Sequence, residues 1–216
     1  MIQLPRPILC LVTDRAAVDP SARTEAAELT GLEAVLDEAI AGGIDVIQIR
    51  EAGIEARTLA SFVRRVVARA AGSGTRVVVN DRADVAIAVG AHGVHLKSNA
   101  PPVAAVRRIV GAALVGRSIH DAVGAETDLD ADYFVFGTVF PSPSKAAGTP
   151  AAGTGVLADV ASRTMHPVLA IGGVTSDNAS QCRAAGAAGV AAIRMFLPAH
   201  RTRAAIAALR AGWNLR

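Results

Sequence analysis

Four short stretches place polar side chains beside or two residues from one another at the ends of apolar runs. They are Gln48 and Arg50, Asn80 and Asp81, His95 and Lys97, and Ser118 and His120. Residues i and i+2 of a strand point to one face, so each i, i+2 spacing aims two polar groups into a shared space. His120 is the natural acid/base of the set, because an unperturbed imidazole gains and loses a proton at a pH of about 6.5. Ser118 beside it is a hydrogen-bond donor for a ligand. An anion site is the best-defined part. In Ile171-Gly172-Gly173-Val174-Thr175 the glycines expose backbone N–H groups ahead of a helix-like segment, the form of a phosphate cradle. Arg194 closes another apolar run and adds a charge-assisted clamp. The chain has two lysines, Lys97 and Lys145, and both fall among these segments.

Strand ends turn polar in any protein, and Asp81, Asp121 and Thr175 read equally well as helix N-caps. Capping does not explain Gln48, Arg50, Lys97, His120 and Lys145 together. His95, inside an apolar run, reads as a barrel-wall histidine, and His92, His166 and His200 read as structural. No GxSxG, HExxH, Walker A or paired-cysteine spacing occurs.

The elements that must position these groups follow a regular alternation. Runs rich in Val and Ile at 8–13, 44–49, 76–79, 93–96, 113–117, 133–136, 167–171 and 189–193 predict strands covered on both faces. Helix-like segments lie between them at about 28–41, 56–72, 82–89, 102–110, 121–127, 155–163, 176–184 and 199–211. Gly42, Gly72, Gly90 and Gly186 suit helix C-terminal caps, and Pro198 suits a helix start. Eight βα units predict one (β/α)8 TIM barrel, a single domain over residues 1–216, with the site at the C-terminal ends of its strands. The rival, an open doubly wound sheet, lacks a GxGxxG loop after the first strand. The stretch 141–154, broken by Pro and Gly, predicts a lid or binding loop.

Composition narrows the partners. A net charge of +3 and an aromatic content of 3 % argue against a nucleic-acid surface. No apolar run reaches the ~18 residues of a membrane helix, and two prolines break the N-terminal apolar stretch, so no membrane partner and a cytoplasmic location are expected. Cys10 and Cys182 then read as buried thiols. An outer helix with exposed apolar residues would permit a homodimer.

The ordered segments IQIRE, VVNDR, GVHL, GRSIH, YFVFGTVFPSPSK, PVLAIGGV and GVAAI resemble the thiamin-phosphate synthase/TenI superfamily from about Ile8 to Phe196. The resemblance implies a (β/α)8 barrel and one of two activities. A TenI-like thiazole tautomerase aromatises a thiazole carboxylate phosphate by moving a proton and needs no cofactor. A thiamin-phosphate synthase couples a hydroxymethylpyrimidine diphosphate to a thiazole phosphate with Mg2+. On the synthase pattern, Gln48 and Arg50 meet the pyrimidine and pyrophosphate, Asn80 and Asp81 form its Asn-Asp pair with Asp81 on Mg2+, and Lys145 is its loop lysine. Three positions depart from that pattern. Its basic residue after Arg-Glu falls on Ala52, its second Mg2+ aspartate on Ala100, and its phosphate-binding serine on Arg194; Lys97 offers charge in place of the lost ligand. GRSIH is closer to the tautomerase, which makes His120 the catalytic acid/base, Gly172, Gly173 and Arg194 the phosphate site, and Lys145 or Arg50 the carboxylate partner. The expected order is tautomerase, then synthase, then a barrel that binds thiazole phosphate without catalysis.

Overall fold

The computed structural model describes residues 6–142 and 150–214. Eight parallel strands pair in chain order and close into a barrel: β1 (Ile8–Val12), β2 (Val46–Ile49), β3 (Arg76–Asn80), β4 (Gly93–Leu96), β5 (Leu114–Ile119), β6 (Tyr133–Gly137), β7 (Val168–Ile171) and β8 (Gly189–Ala192). The helices are α1 (Arg15–Val18), α2 (Glu25–Ala41), α3 (Ala56–Ala70), α4 (Ala83–Val89), α5 (Val103–Val110), α6 (Ala122–Thr127), α7 (Gly153–Ser162), α8 (Ala179–Ala184) and α9 (Ala199–Asn214). A single 3₁₀ turn, Arg194–Phe196, precedes α9.

Each expected strand is present, and the strands are buried as their composition requires. Alternation along them makes two cores. Ile8, Cys10, Val12, Val46, Val78, Leu114, Tyr133, Val135 and Leu169 fill the lumen. Leu9, Leu11, Ile47, Val77, Val79, Phe134 and Phe136 face the helices. Helix boundaries differ from expectation where local hydrogen bonds intervene. α2 starts early, because Thr24 Oγ1 accepts the Ala27 N–H. α1 was not anticipated; it is held by Arg15, which bonds Glu28 at 2.8 Å and Glu51 at 3.1 Å. α8 starts late, because Asn178 folds the preceding residues into a turn, accepting the Thr175 N–H and donating to Gly173 O.

The base of the barrel, at the N-terminal ends of the strands, repeats one device. Asp45, His92 and Asp132 immediately precede β2, β4 and β6. Each donates its own N–H to the neighbouring odd strand, to Leu9 O, Val77 O and Val115 O respectively. Its side chain then accepts the N–H of that same residue, at 2.8 Å for Asp45, 3.0 Å for His92 and 2.7 Å for Asp132. At the fourth equivalent position Ala188 donates to Val168 O but has no acceptor to return. Arginines of outer helices distant in sequence reach two of the three. Arg210 of α9 meets Asp45 at 3.1 Å, and Arg107 of α5 meets Asp132 at 2.7 Å.

Candidate active site

At the opposite end the C-terminal strand tips carry the polar residues named from sequence. Buried Gln48 donates from Nε2 to Asn80 Oδ1 at 2.9 Å, and Asn80 donates from Nδ2 to Asp81 Oδ2 at 3.1 Å. Asp81 is the one non-glycine residue with positive φ (55°) among the described residues. Asp tolerates this region better than most side chains, yet such conformations persist only where surroundings enforce them. Here the Asp81 N–H is fixed on His95 O at 2.8 Å. Its carboxylate is bracketed by Lys97, whose N–H reaches Oδ1 at 2.9 Å and whose Nζ reaches Oδ2 at 2.7 Å. The reading of Asp81 as a helix cap is therefore corrected: its oxygens serve Lys97 and Asn80. Asp121 is a true N-cap, accepting the Gly124 N–H at 3.0 Å. Thr175 is not one; Asn178 occupies the cap position of α8.

Ser118 and His120 do not share a partner. Ser118 Oγ lies 2.9 Å from His95 Nε2, and His95 Nδ1 lies 3.2 Å from the Tyr133 hydroxyl. His95 and Tyr133 are each 1 % exposed, so His95 is the wall histidine its sequence context implied. Burial is the main cause that pushes the His95 pKa down to about 4, so the ring is neutral near pH 7. Burial likewise holds Tyr133 well above its ordinary value, so the phenol keeps its proton. Among the described residues that proton has one acceptor, His95 Nδ1. The ring proton then sits on Nε2 and is donated to Ser118 Oγ, so the Ser118 hydroxyl proton is not used on His95. Gly116 makes room for this chain, since a Cβ there would run into the Tyr133 ring and lie 2.5 Å from His95 Nδ1. Tyr133 was missed from sequence. The signal available was its being the one tyrosine of the chain, set at the head of an apolar run.

His120 stands one residue beyond β5 and is exposed. Its Nδ1 lies 2.7 Å from Gly137 O. A carbonyl can only accept, so Nδ1 carries a proton, and in the neutral ring Nε2 is the nitrogen with the lone pair. Gly137 leads into the segment resting on the glycine pair. Gly172 has φ 94° and a Cβ there would lie 2.5 Å from Thr138 Cγ2; Gly173 has φ 63° and its Cβ would strike Pro141 O. Phe140 donates to Gly172 O at 3.0 Å. His120, Gly172 and Gly173 thus belong to one rim. The cradle itself is a turn: α8 has six residues and begins at Ala179, so the helix expected from 176 does not start beside the glycines.

Arg194 lies on the 3₁₀ turn and not on β8, because Ile193 (φ −106°, ψ −76°) has already left the strand. Arg50 follows β2, its N–H on Thr13 Oγ1 at 2.8 Å. Both side chains are exposed at the mouth, and no hydrogen bond or ion pair among the described residues engages either guanidinium. Lys145 lies outside the described residues. Arg117, also missed from sequence, pins the loop after β4: it bonds Ser98 O, Ala100 O and Pro101 O at 3.1–3.2 Å and pairs with Asp128 at 3.0 Å.

This donor set does not fit a resident divalent cation. Mg2+ takes oxygen ligands in near-octahedral geometry. Both Asp81 oxygens already accept from nitrogen donors, Ala100 has no side-chain oxygen, and the nearby loop carbonyls face Arg117. No cluster of three or more His, Cys, Asp or Glu is placed to hold a metal among the described residues. Nor is any helix among them long and apolar enough to cross a membrane.

The family model described as thiamine monophosphate synthase matches residues 9–196. A protein of Geobacter sulfurreducens named putative thiamine-phosphate synthase is 40 % identical over 185 residues, covering 82 % of this chain and 87 % of that one. The thiamine-phosphate synthase of Saccharopolyspora erythraea is 38 % identical over 219 residues, covering 96 % and 93 %. The solved thiamine phosphate pyrophosphorylase of Pyrococcus furiosus superposes with a TM-score of 0.78 at 28 % identity, over 95 % of this chain and 94 % of that one. With a barrel of this order, a polar mouth at its C-terminal rim and a match along nearly its whole length, the chain belongs to the thiamine monophosphate synthase family.

Proposed function

We propose that the chain is a transferase of thiamin biosynthesis that couples a hydroxymethylpyrimidine diphosphate to a thiazole phosphate. The C–O bond to the diphosphate breaks, the thiazole ring nitrogen bonds the freed methylene carbon, and pyrophosphate leaves. The observation that carries this reading is the agreement of relatives 34–40 % identical, each named thiamine-phosphate synthase or putatively so. It takes precedence over the tautomerase that the GRSIH segment favoured. In this reading the linked amides of Gln48 and Asn80 present the edge that holds the pyrimidine. Arg50 and Lys145 meet the diphosphate, Ser118 donates to the ligand, and Gly172, Gly173 and Arg194 hold the thiazole phosphate. Incubating the protein with both substrates tests it: thiamin phosphate and pyrophosphate should appear together, and their absence with and without Mg2+ overturns it.

One observation favours a second reading. His120, with Nδ1 fixed on Gly137 O and Nε2 unengaged among the described residues, has the form of a poised base. A tautomerase would use Nε2 to take a proton from the thiazole and return it to the exocyclic carbon. His120→Asn separates the two readings. Loss of isomerisation with coupling retained supports the tautomerase; coupling by the unaltered protein with no isomerisation removes it. Binding of thiazole phosphate with neither reaction would leave a binding protein.

A further inference from the structure

We infer that Lys97, and not a divalent cation, supplies the positive charge against a diphosphate at this mouth, so that the chain binds its diphosphate ligand without metal. The inference rests on the proposed reading of the mouth as a diphosphate site. It is carried by how the carboxylate is held. Asp81 is bracketed by the backbone and side chain of one residue, with Lys97 N on Oδ1 at 2.9 Å and Nζ on Oδ2 at 2.7 Å, while Asn80 adds a third donor at 3.1 Å. A metal would have to displace the ammonium and reorient a carboxylate whose backbone is locked at φ 55°.

Nothing adjacent among the described residues completes a metal's shell. Ala100 contributes no side-chain oxygen, and Arg117 occupies the carbonyls of Ser98, Ala100 and Pro101. The ammonium, by contrast, is suited to an anion. It carries three N–H donors, of which Asp81 takes one. The Lys97 side chain is 58 % exposed, so the other two remain open to a ligand. Asp81 acts as a positioning residue: its pull fixes the ammonium at the tip of β4. Arg50, after β2, with its guanidinium unengaged among the described residues, provides the second cation in a form suited to bidentate phosphate contact.

The test is calorimetric titration of inorganic pyrophosphate into the full chain, first in EDTA and then with added Mg2+. The expected result is binding in EDTA with little change on adding Mg2+. Lys97→Met should weaken binding in EDTA by ~10- to 100-fold, the worth of a lost charge-assisted hydrogen bond. Lys97→Arg, which keeps the charge, should recover part of that loss. Pyrophosphate binding that appears only with Mg2+ overturns the inference, as does Lys97→Met binding in EDTA as tightly as the unaltered protein. Failure of the inference is separable from failure of the transferase reading. Coupling seen only with Mg2+ sinks the first and keeps the second; metal-free pyrophosphate binding with no coupling under either condition does the reverse.

Discussion

The two ends of the barrel use similar polar residues for opposite purposes. At the base, Asp45, His92 and Asp132 spend their side chains on backbone N–H groups, and the arrangement recurs at every second strand until Ala188 breaks it. At the mouth no device repeats among the described residues. Gln48, Asn80, Asp81 and Lys97 form one chain, Tyr133, His95 and Ser118 another, and His120 stands apart on Gly137 O. A repeated contact answers a need common to all strands, the pairing of backbone groups as each strand begins. An unrepeated set answers to something without the barrel's symmetry, as a bound ligand is. On the proposed function, stability and chemistry are thereby separated along the barrel axis.

That separation predicts where substitutions will be felt. The largest effect belongs to the mouth. If His120 is the proton carrier, His120→Asn should lower isomerisation ~10²- to 10⁴-fold, with the melting temperature unmoved because the side chain is exposed. A matching fall in melting temperature would show that His120 is structural and erase the contrast.

Next in size is a pH effect from the sealed histidine. The folded pKa of His95 is pushed down to about 4, mainly by burial. Between that value and the ordinary ~6.5 the unfolded chain binds a proton that the folded chain refuses, so stability rises with pH through this window. Acidification from pH 6.5 to 4 should cost ~3 kcal/mol from this group. Urea unfolding at several pH values should show that slope, and His95→Gln should remove most of it. An equal slope in the variant would mean the histidine is not sealed.

At the base, Asp45→Ala orphans the buried Leu9 N–H and should cost about 1–3 kcal/mol with catalysis unchanged per folded molecule. Asp45→Asn keeps an acceptor and should cost less, measurable by the same unfolding curves. Asp132→Ala, at a more exposed copy of the device, should fall below Asp45→Ala. The smallest effect is on thiol chemistry. Burial raises Cys10 to about 12 and Cys182 to about 11, so neither is a thiolate at neutral pH. Both should resist alkylation in the folded protein and react on unfolding; fast labelling of Cys10 in native buffer would show an open lumen.

Much of the barrel was legible because parallel strands buried on two faces must be continuous apolar runs, and eight such runs could be counted. The polar tips of those runs were legible for the same reason: Gln48, Asn80, Lys97 and His120 are visible against an apolar background. Partnerships between distant segments were not. Periodicity placed Ser118 and His120 on one face, but it could not show that Ser118 turns to His95, 23 residues away, or that His120 turns to Gly137. Nor could it find Arg117, whose three carbonyl partners lie in the loop of the neighbouring strand.

By itself the sequence determined the eight strands, their alternation with helices and the rim on which polar residues gather, because these follow from continuous apolar runs and their polar tips along the chain. The tertiary structure alone decided which histidine is neutral and sealed, which is fixed through Nδ1 on a backbone carbonyl, and that Lys97 closes over Asp81. Protonation state and hydrogen-bond partner depend on distance through space and on water excluded by other segments, and neither is encoded in local spacing.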